Sequence, residues 1–196
     1  MALDDQTKTL IKRHIANRET VYISSDGVPV TFESRILQLS GKNLTLINSV
    51  TPEHIFAVTQ SKHHSLQIEN LKFFSSEIGS DGKNIIFTIS DSSQADNIRS
   101  EERIRYQDPD SCYCEFLNPF DMQTTLRKPI IDLSGSGVSV RNQTESRLFT
   151  PGIQIYNLKV VLDHKQAGMY KGKVIYQRLL MSLKGKTSVQ VGIKFM

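Results

Sequence analysis

Apolar residues recur along this chain at two spacings, and the change from one to the other marks its first structural boundary. Leu3, Leu10, Ile11 and Ile15 fall on one broad helical face, predicting an opening helix over residues 3–16. Asp4 and Asp5 suit the positive end of its dipole, and Lys12, Arg13 and His14 the negative end. From Thr20 onward the pattern shortens to β runs at 21–23, 28–39, 44–47, 54–58, 66–74 and 84–90. Turn residues separate them at 25–27, 40–43 and 79–82. Six short strands at this spacing predict a small barrel. A second series follows at 112–117, 125–133, 138–142, 153–163, 169–180 and 188–195, with clear alternation in Val138-Ser-Val140 and in Val189 to Phe195. Gly168, Gly172 and Gly185 punctuate it as turns, bulges or close approaches. The expected architecture is all-β: two small antiparallel barrels in tandem behind a short helix.

Residues 91–97 are polar, have no apolar period and read as a linker. Charge changes sign just after them. Residues 1–97 hold nine Lys/Arg against eleven Asp/Glu, whereas 98–196 hold fifteen against nine. The expected domains are therefore 1–97 and 98–196, the second carrying a net +6 that favours an anionic ligand. Neither a signal-peptide pattern nor an apolar run of membrane-spanning length is present, so the cytoplasm is the expected location. Cys112 and Cys114 share one face of a strand, poorly placed for a disulfide, and read as reduced core thiols. His14, His54, His63, His64 and His164 have no metal-ligand spacing, so no metal site is expected. No nucleotide-binding glycine loop or nucleophile elbow occurs, and Ser134 has no evident base, which argues against an enzyme.

The chemistry concentrates in two short segments of the basic half. Arg99-Ser-Glu-Glu-Arg103 offers two guanidinium forks four residues apart, able to bind phosphate oxygens bidentately, pair with guanine O6 and N7, or stack on flat rings. Arg105 adds charge nearby. Asp132-Leu-Ser134-Gly-Ser-Gly137 falls between two strands. A carboxylate there can accept from guanine N1 and N2, Ser134 can donate or accept, and Gly135 and Gly137 permit positive φ and close approach of a ligand. Taken singly, each segment also has a bland explanation, as surface ion pairs or an ordinary Asp/Ser/Gly turn.

In order and spacing the two segments together resemble the signature of the PilZ domain, the bacterial receptor module for cyclic di-GMP: Arg-x-x-x-Arg, then Asp or Asn-x-Ser-x-x-Gly. Val191-Gly192-Ile193-Lys194-Phe195 is similar to the last barrel strand of that family. The resemblance runs from Ile98 to the end, and the first half resembles in a general way the barrel preceding PilZ in flagellar-brake proteins. It implies a split-barrel-like N-terminal domain, a six-stranded C-terminal barrel and cyclic di-GMP as ligand. By resemblance, Arg99 and Arg103 grip phosphates and a guanine face, Asp132 and Ser134 read the guanine edge, and Gly137 makes room at the barrel wall. Ile98, Arg105 and Gly135 are possible additional contacts. Some family members carry another Arg at the position of Ile98, and its absence here implies one ligand molecule per chain. The helix that often follows the barrel is absent before Met196. The function implied is a cofactor-free, non-enzymatic effector acting on a flagellar, pilus, secretion or polysaccharide component to regulate motility, biofilm or secretion. The alternatives are a single-stranded nucleic-acid-binding barrel, with nucleic acid the less favoured partner, and a PilZ-like docking module that binds no ligand.

Overall fold

The computed structural model describes residues 3–69, 71–90, 96–97, 103–106 and 108–196. Contacts divide the chain into two compact units, Met1–Ser100 with Leu180–Lys186, and Glu101–Leu179 with Thr187–Met196.

The first unit opens with α1 (Asp5–Asn17), capped by Asp4, whose carboxylate accepts from the Thr7 backbone amide at 2.8 Å. Ile11 is fully buried, as the apolar spacing predicts, but so is His14. The His14 Nε2 lies 3.1 Å from Glu19 and 3.2 Å from Glu69, and Arg13 also pairs with Glu69. The helix end is thus tied to the turn after β4, and a His/Glu/Glu group forms that sequence spacing does not reveal. The elements that follow are β1 (Thr20–Ser25), β2 (Val30–Ser40), β3 (Asn43–Ile47), α2 (Pro52–Gln60), β4 (His64–Ile68), β5 (Leu71–Ser75), β6 (Ile78–Ser80), β7 (Asn84–Thr88) and β8 (Asp96–Asn97). The long β2 pairs with β1 along its first half and with β3 along its second, shifting register between Ile36 and Gln38. One path runs β2-β1-β4-β5-β8 and the other β2-β3-β7-β6, all antiparallel. Val21, Ile23, Phe32, Leu44, Leu66, Phe73 and Phe87 are almost completely buried.

Four expectations change here. Of the expected linker 91–97, Asp96–Asn97 form β8 against β5, and 91–95 lie outside the described residues. Residues 54–58 are helical, not a strand: Pro52 opens α2, where its missing N–H costs nothing, and Thr51 stands at the cap position. Residues 66–74 are not one strand but parts of β4 and β5, which pair as Ile68↔Leu71 across a tight turn with Glu69 at φ 50°. Part of the turn placed at 79–82 is strand β6. With two helices among the described residues, the fold is mostly β rather than all-β.

The second unit contains β9 (Ile104–Arg105), β10 (Tyr113–Leu117), β11 (Thr125–Ser134), β12 (Gly137–Asn142), a 3₁₀ turn (Arg147–Phe149), β13 (Gln154–Leu162), β14 (Lys165–Met181) and β15 (Thr187–Phe195). Six of its strands form a ring, β13-β10-β11-β12-β15-β14, closed by pairing of β13 with β14. The interior is filled by Cys114, Phe116, Ile130, Val138, Val140, Leu158, Val174, Val189, Val191 and Ile193, with Phe149 packing edge-on against Phe116 at 6.1 Å. Burying one such aliphatic or aromatic side chain contributes about 1.5–3 kcal/mol, so the ring is rigid enough to hold polar groups on its outer wall. Cys112 and Cys114 are free and buried. No helix among the described residues is long and apolar enough to cross a membrane.

Candidate ligand site on the ring wall

The site follows from strand alternation. On β12, Val138 and Val140 point into the ring, which sends Ser139 to the outer wall; on β15, Val189, Val191 and Ile193 send Gln190 and Gly192 there. Ser139 stands opposite Gly192 across the β12–β15 ladder and opposite Asp132 across β11–β12. These outer positions should meet water, yet Ser139 is 0% and Gln190 1% exposed. Other side chains lie over them.

Arg103 is brought there by β9, a two-residue strand that pairs with β11 as Ile104↔Leu133 and Arg105↔Asp132. The Tyr106 amide extends this pairing by donating to the Ile131 carbonyl at 3.0 Å. The Arg103 Nη1 then donates to Asp132 Oδ1 at 2.7 Å, joining side chains 29 positions apart. Asp132 is 8% and Arg103 22% exposed at the side chain. Burial works against the Arg103 charge, but the Asp132 carboxylate and the Tyr176 hydroxyl outweigh it, so the Arg103 pKa is raised and the guanidinium is secure. Tyr176 reaches this position because residue 192 is glycine: a Cβ there would overlap the Tyr176 ring. Beneath the pair, Gln190 Nε2 donates to Ser139 Oγ at 2.9 Å and to Asp132 Oδ2 at 3.4 Å, while Gln190 Oε1 accepts from Arg178 Nε at 2.6 Å.

Arg103 and Asp132 therefore meet. Ser134 lies two residues further along β11, nearly buried, its hydroxyl 3.4 Å from the Gly137 carbonyl. Arg105 is the register partner of Asp132 and is itself engaged in contacts. Gly135 lies in the two-residue turn between Ser134 and Gly137. Ile98 and Arg99 lie outside the described residues. Two details differ from expectation. Asp132 and Ser134 belong to the end of β11 rather than to a turn, beside a register shift between Ile130 and Asp132. Gly137 does not adopt positive φ; what it supplies is space, since a Cβ there would sit 2.5 Å from the Ile193 carbonyl oxygen. Sequence reasoning misses Ser139, Tyr176, Arg178 and Gln190. Their only trace is a polar residue at alternate positions of strongly apolar strands, a pattern that ordinarily marks solvent.

No family model matches the chain, and no curated protein matches it. Solved structures do. The K. pneumonia MrkH–c-di-GMP complex is 12% identical over 96% of this chain and 83% of that one, with a TM-score of 0.60. MrkH described as a c-di-GMP-dependent transcription regulatory factor is 11% identical over 100% and 84%, with a TM-score of 0.58. E. coli YcgR in complex with c-di-GMP is 16% identical over 96% and 80%, with a TM-score of 0.49. At these identities the likeness is one of fold, and this chain has the two-domain fold of MrkH, a protein itself solved in complex with c-di-GMP.

Proposed function

We propose that the C-terminal ring binds cyclic di-GMP on its outer wall and that the chain is a ligand-controlled regulator rather than an enzyme. The observation carrying this reading is the meeting of Arg103 and Asp132 at 2.7 Å, one from each signature segment, in a sheltered site on the ring. A guanidinium fork beside a carboxylate complements a ligand with phosphates and a guanine edge: Arg103, with Arg99 four residues before it, takes phosphate oxygens or a guanine face, and Asp132 accepts from N1 and N2. Ser134 and Gly137 frame the wall, Gly137 by allowing β12 to approach β15 closely. The solved MrkH complex, which holds c-di-GMP, supports the same ligand class.

On this reading the protein divides near residue 97 into a split-barrel-like domain and a receptor domain. Ligand held jointly by Arg99, Arg103 and Asp132 pins the segment before β9 to the ring and reorients the first domain toward a motility, pilus or secretion component. The ligand drives this only through its greater affinity for the closed arrangement. Hydrogen exchange should then show added protection at residues 98–106 as well as 132–137.

Calorimetry with cyclic di-GMP, cyclic di-AMP and single-stranded oligonucleotides tests the proposal. Cyclic di-GMP should bind, and cyclic di-AMP, which lacks the N1 hydrogen and N2 amine, far more weakly. Arg103→Ala should lose about 2–5 kcal/mol of binding, and Arg103→Lys should also fail substantially, because a point charge does not replace a fork. Undiminished binding in both variants, or tight oligonucleotide binding without cyclic di-GMP binding, overturns the assignment.

A further inference from the structure

Beneath the Arg103–Asp132 pair lies a second layer of polar groups whose orientation chemistry dictates. Gln190 is 1% exposed, and both ends of its amide are engaged. Arg178 Nε can only donate, so the amide oxygen must face it, at 2.6 Å. The Asp132 carboxylate can only accept, so the NH₂ group must face Asp132 Oδ2, at 3.4 Å, with Ser139 Oγ at 2.9 Å as its second acceptor. A flipped amide would set donor against donor and acceptor against acceptor in a place closed to water.

We propose that Gln190 is the positioning residue that aims the Asp132 carboxylate, and through it sets the preference for guanine over bases that lack the 2-amino group. This rests on the reading of the ring as a cyclic di-GMP site. A carboxylate offers about four lone-pair positions. Arg103 takes one on Oδ1 and Gln190 one on Oδ2, leaving acceptor capacity that matches the two adjacent donors of a guanine edge, N1–H and N2–H. The carboxylate torsion of an aspartate is soft, so an Asp held at one oxygen alone samples a broad range of planes. Held at both oxygens, it keeps one. Asp132 on β11 and the groups behind it, Ser139 on β12 and Gln190 on β15, stand on paired strands of the packed ring, whereas Arg103 immediately precedes the short strand β9. Being buried, Gln190 acts on base choice through Asp132 and leaves the phosphate contacts alone.

The test compares cyclic di-GMP with its hypoxanthine counterpart, which differs only by the missing 2-amino groups, by calorimetry on the full chain. The parent protein should prefer guanine by about tenfold or more, the worth of one hydrogen bond to a charged acceptor. Gln190→Leu should weaken cyclic di-GMP by about tenfold and the hypoxanthine ligand, which keeps N1–H but has no 2-amino group to lose, clearly less, so the preference shrinks. Ser139→Ala, which removes one oxygen from the same amide's partners, should lower the preference in part and stands in if Gln190→Leu does not fold. A merely structural role would weaken both ligands together; an unchanged preference in the variants overturns the positioning role while leaving the receptor reading intact. A parent protein that binds neither dinucleotide overturns the receptor reading and this inference with it. A parent that binds both equally overturns the inference alone.

Discussion

Removing the Asp132 carboxylate should destabilise the ring even with no ligand present. The Asp132 side chain is 8% exposed and that of its partner Arg103 22%. The guanidinium does not lose its proton under working conditions. Asp132→Ala therefore leaves a sheltered cation without its carboxylate partner and removes one of the acceptors of Gln190 Nε2. Breaking a fully buried ion pair costs about 3–5 kcal/mol and an exposed one about 0–1 kcal/mol. With Arg103 about a fifth exposed, we expect about 2–3 kcal/mol. The assay is urea unfolding followed by tyrosine fluorescence. Of the six tyrosines only Tyr22 lies in the first unit, and no tryptophan masks the signal, so the probe reports the ring. Arg103→Met and the double variant complete a cycle, in which the double variant should be clearly more stable than the sum of the single losses predicts. Stability of Asp132→Ala within about 0.5 kcal/mol of the parent would refute the reasoning, since that is the range of ordinary surface substitutions.

Gly137→Ala should cost about 1–3 kcal/mol, because the new Cβ would meet the Ile193 carbonyl oxygen at 2.5 Å and only parting β12 from β15 relieves it; chemical unfolding that matches the parent would show the strands are not so close. Burial lowers the pKa of His64, whose Nδ1 lies 2.8 Å from Ser25 Oγ. Below the ordinary value of 6.5 the unfolded chain gains a proton that the fold resists, so stability should fall as pH drops from 7 toward 5, by at most about 1.4 kcal/mol per pH unit from this group. Its replacement by Gln should reduce that slope in pH-dependent unfolding; an identical slope would assign the effect elsewhere. Burial pushes the Cys114 thiol up to about 12, so alkylation of the native protein at pH 8 should be slow and should accelerate with added denaturant. Rapid labelling of Cys114 without denaturant would contradict its placement in the ring core.

Alternation of small β-branched residues makes β12 and β15 legible from the amino-acid sequence alone, since a closed ring with an apolar interior imposes a period of two on every strand. The expected runs 138–142 and 188–195 correspond to Gly137–Asn142 and Thr187–Phe195. The opening helix is equally plain from Asp4 and Ile11. Residues 54–58 mislead because Ile55, Phe56 and Val58 are too few to separate a helical period from a strand, and the deciding residues, Thr51 and Pro52, stand outside the run. The β4–β5 turn is hidden because Glu69 takes a left-handed conformation without being glycine or asparagine. For the site, the residue types and order of Arg103 and Asp132 are present in the sequence, but their meeting depends on a two-residue ladder between β9 and β11, a pairing no local pattern encodes. Ser139 and Gln190 read as solvent positions because alternation tells which side of a strand a residue takes, not what covers that side. The groups gathered there are Tyr176 and Arg178 on the neighbouring strand β14 and Arg103 from far earlier in the chain, and burial of a polar group is a property of all the groups that surround it.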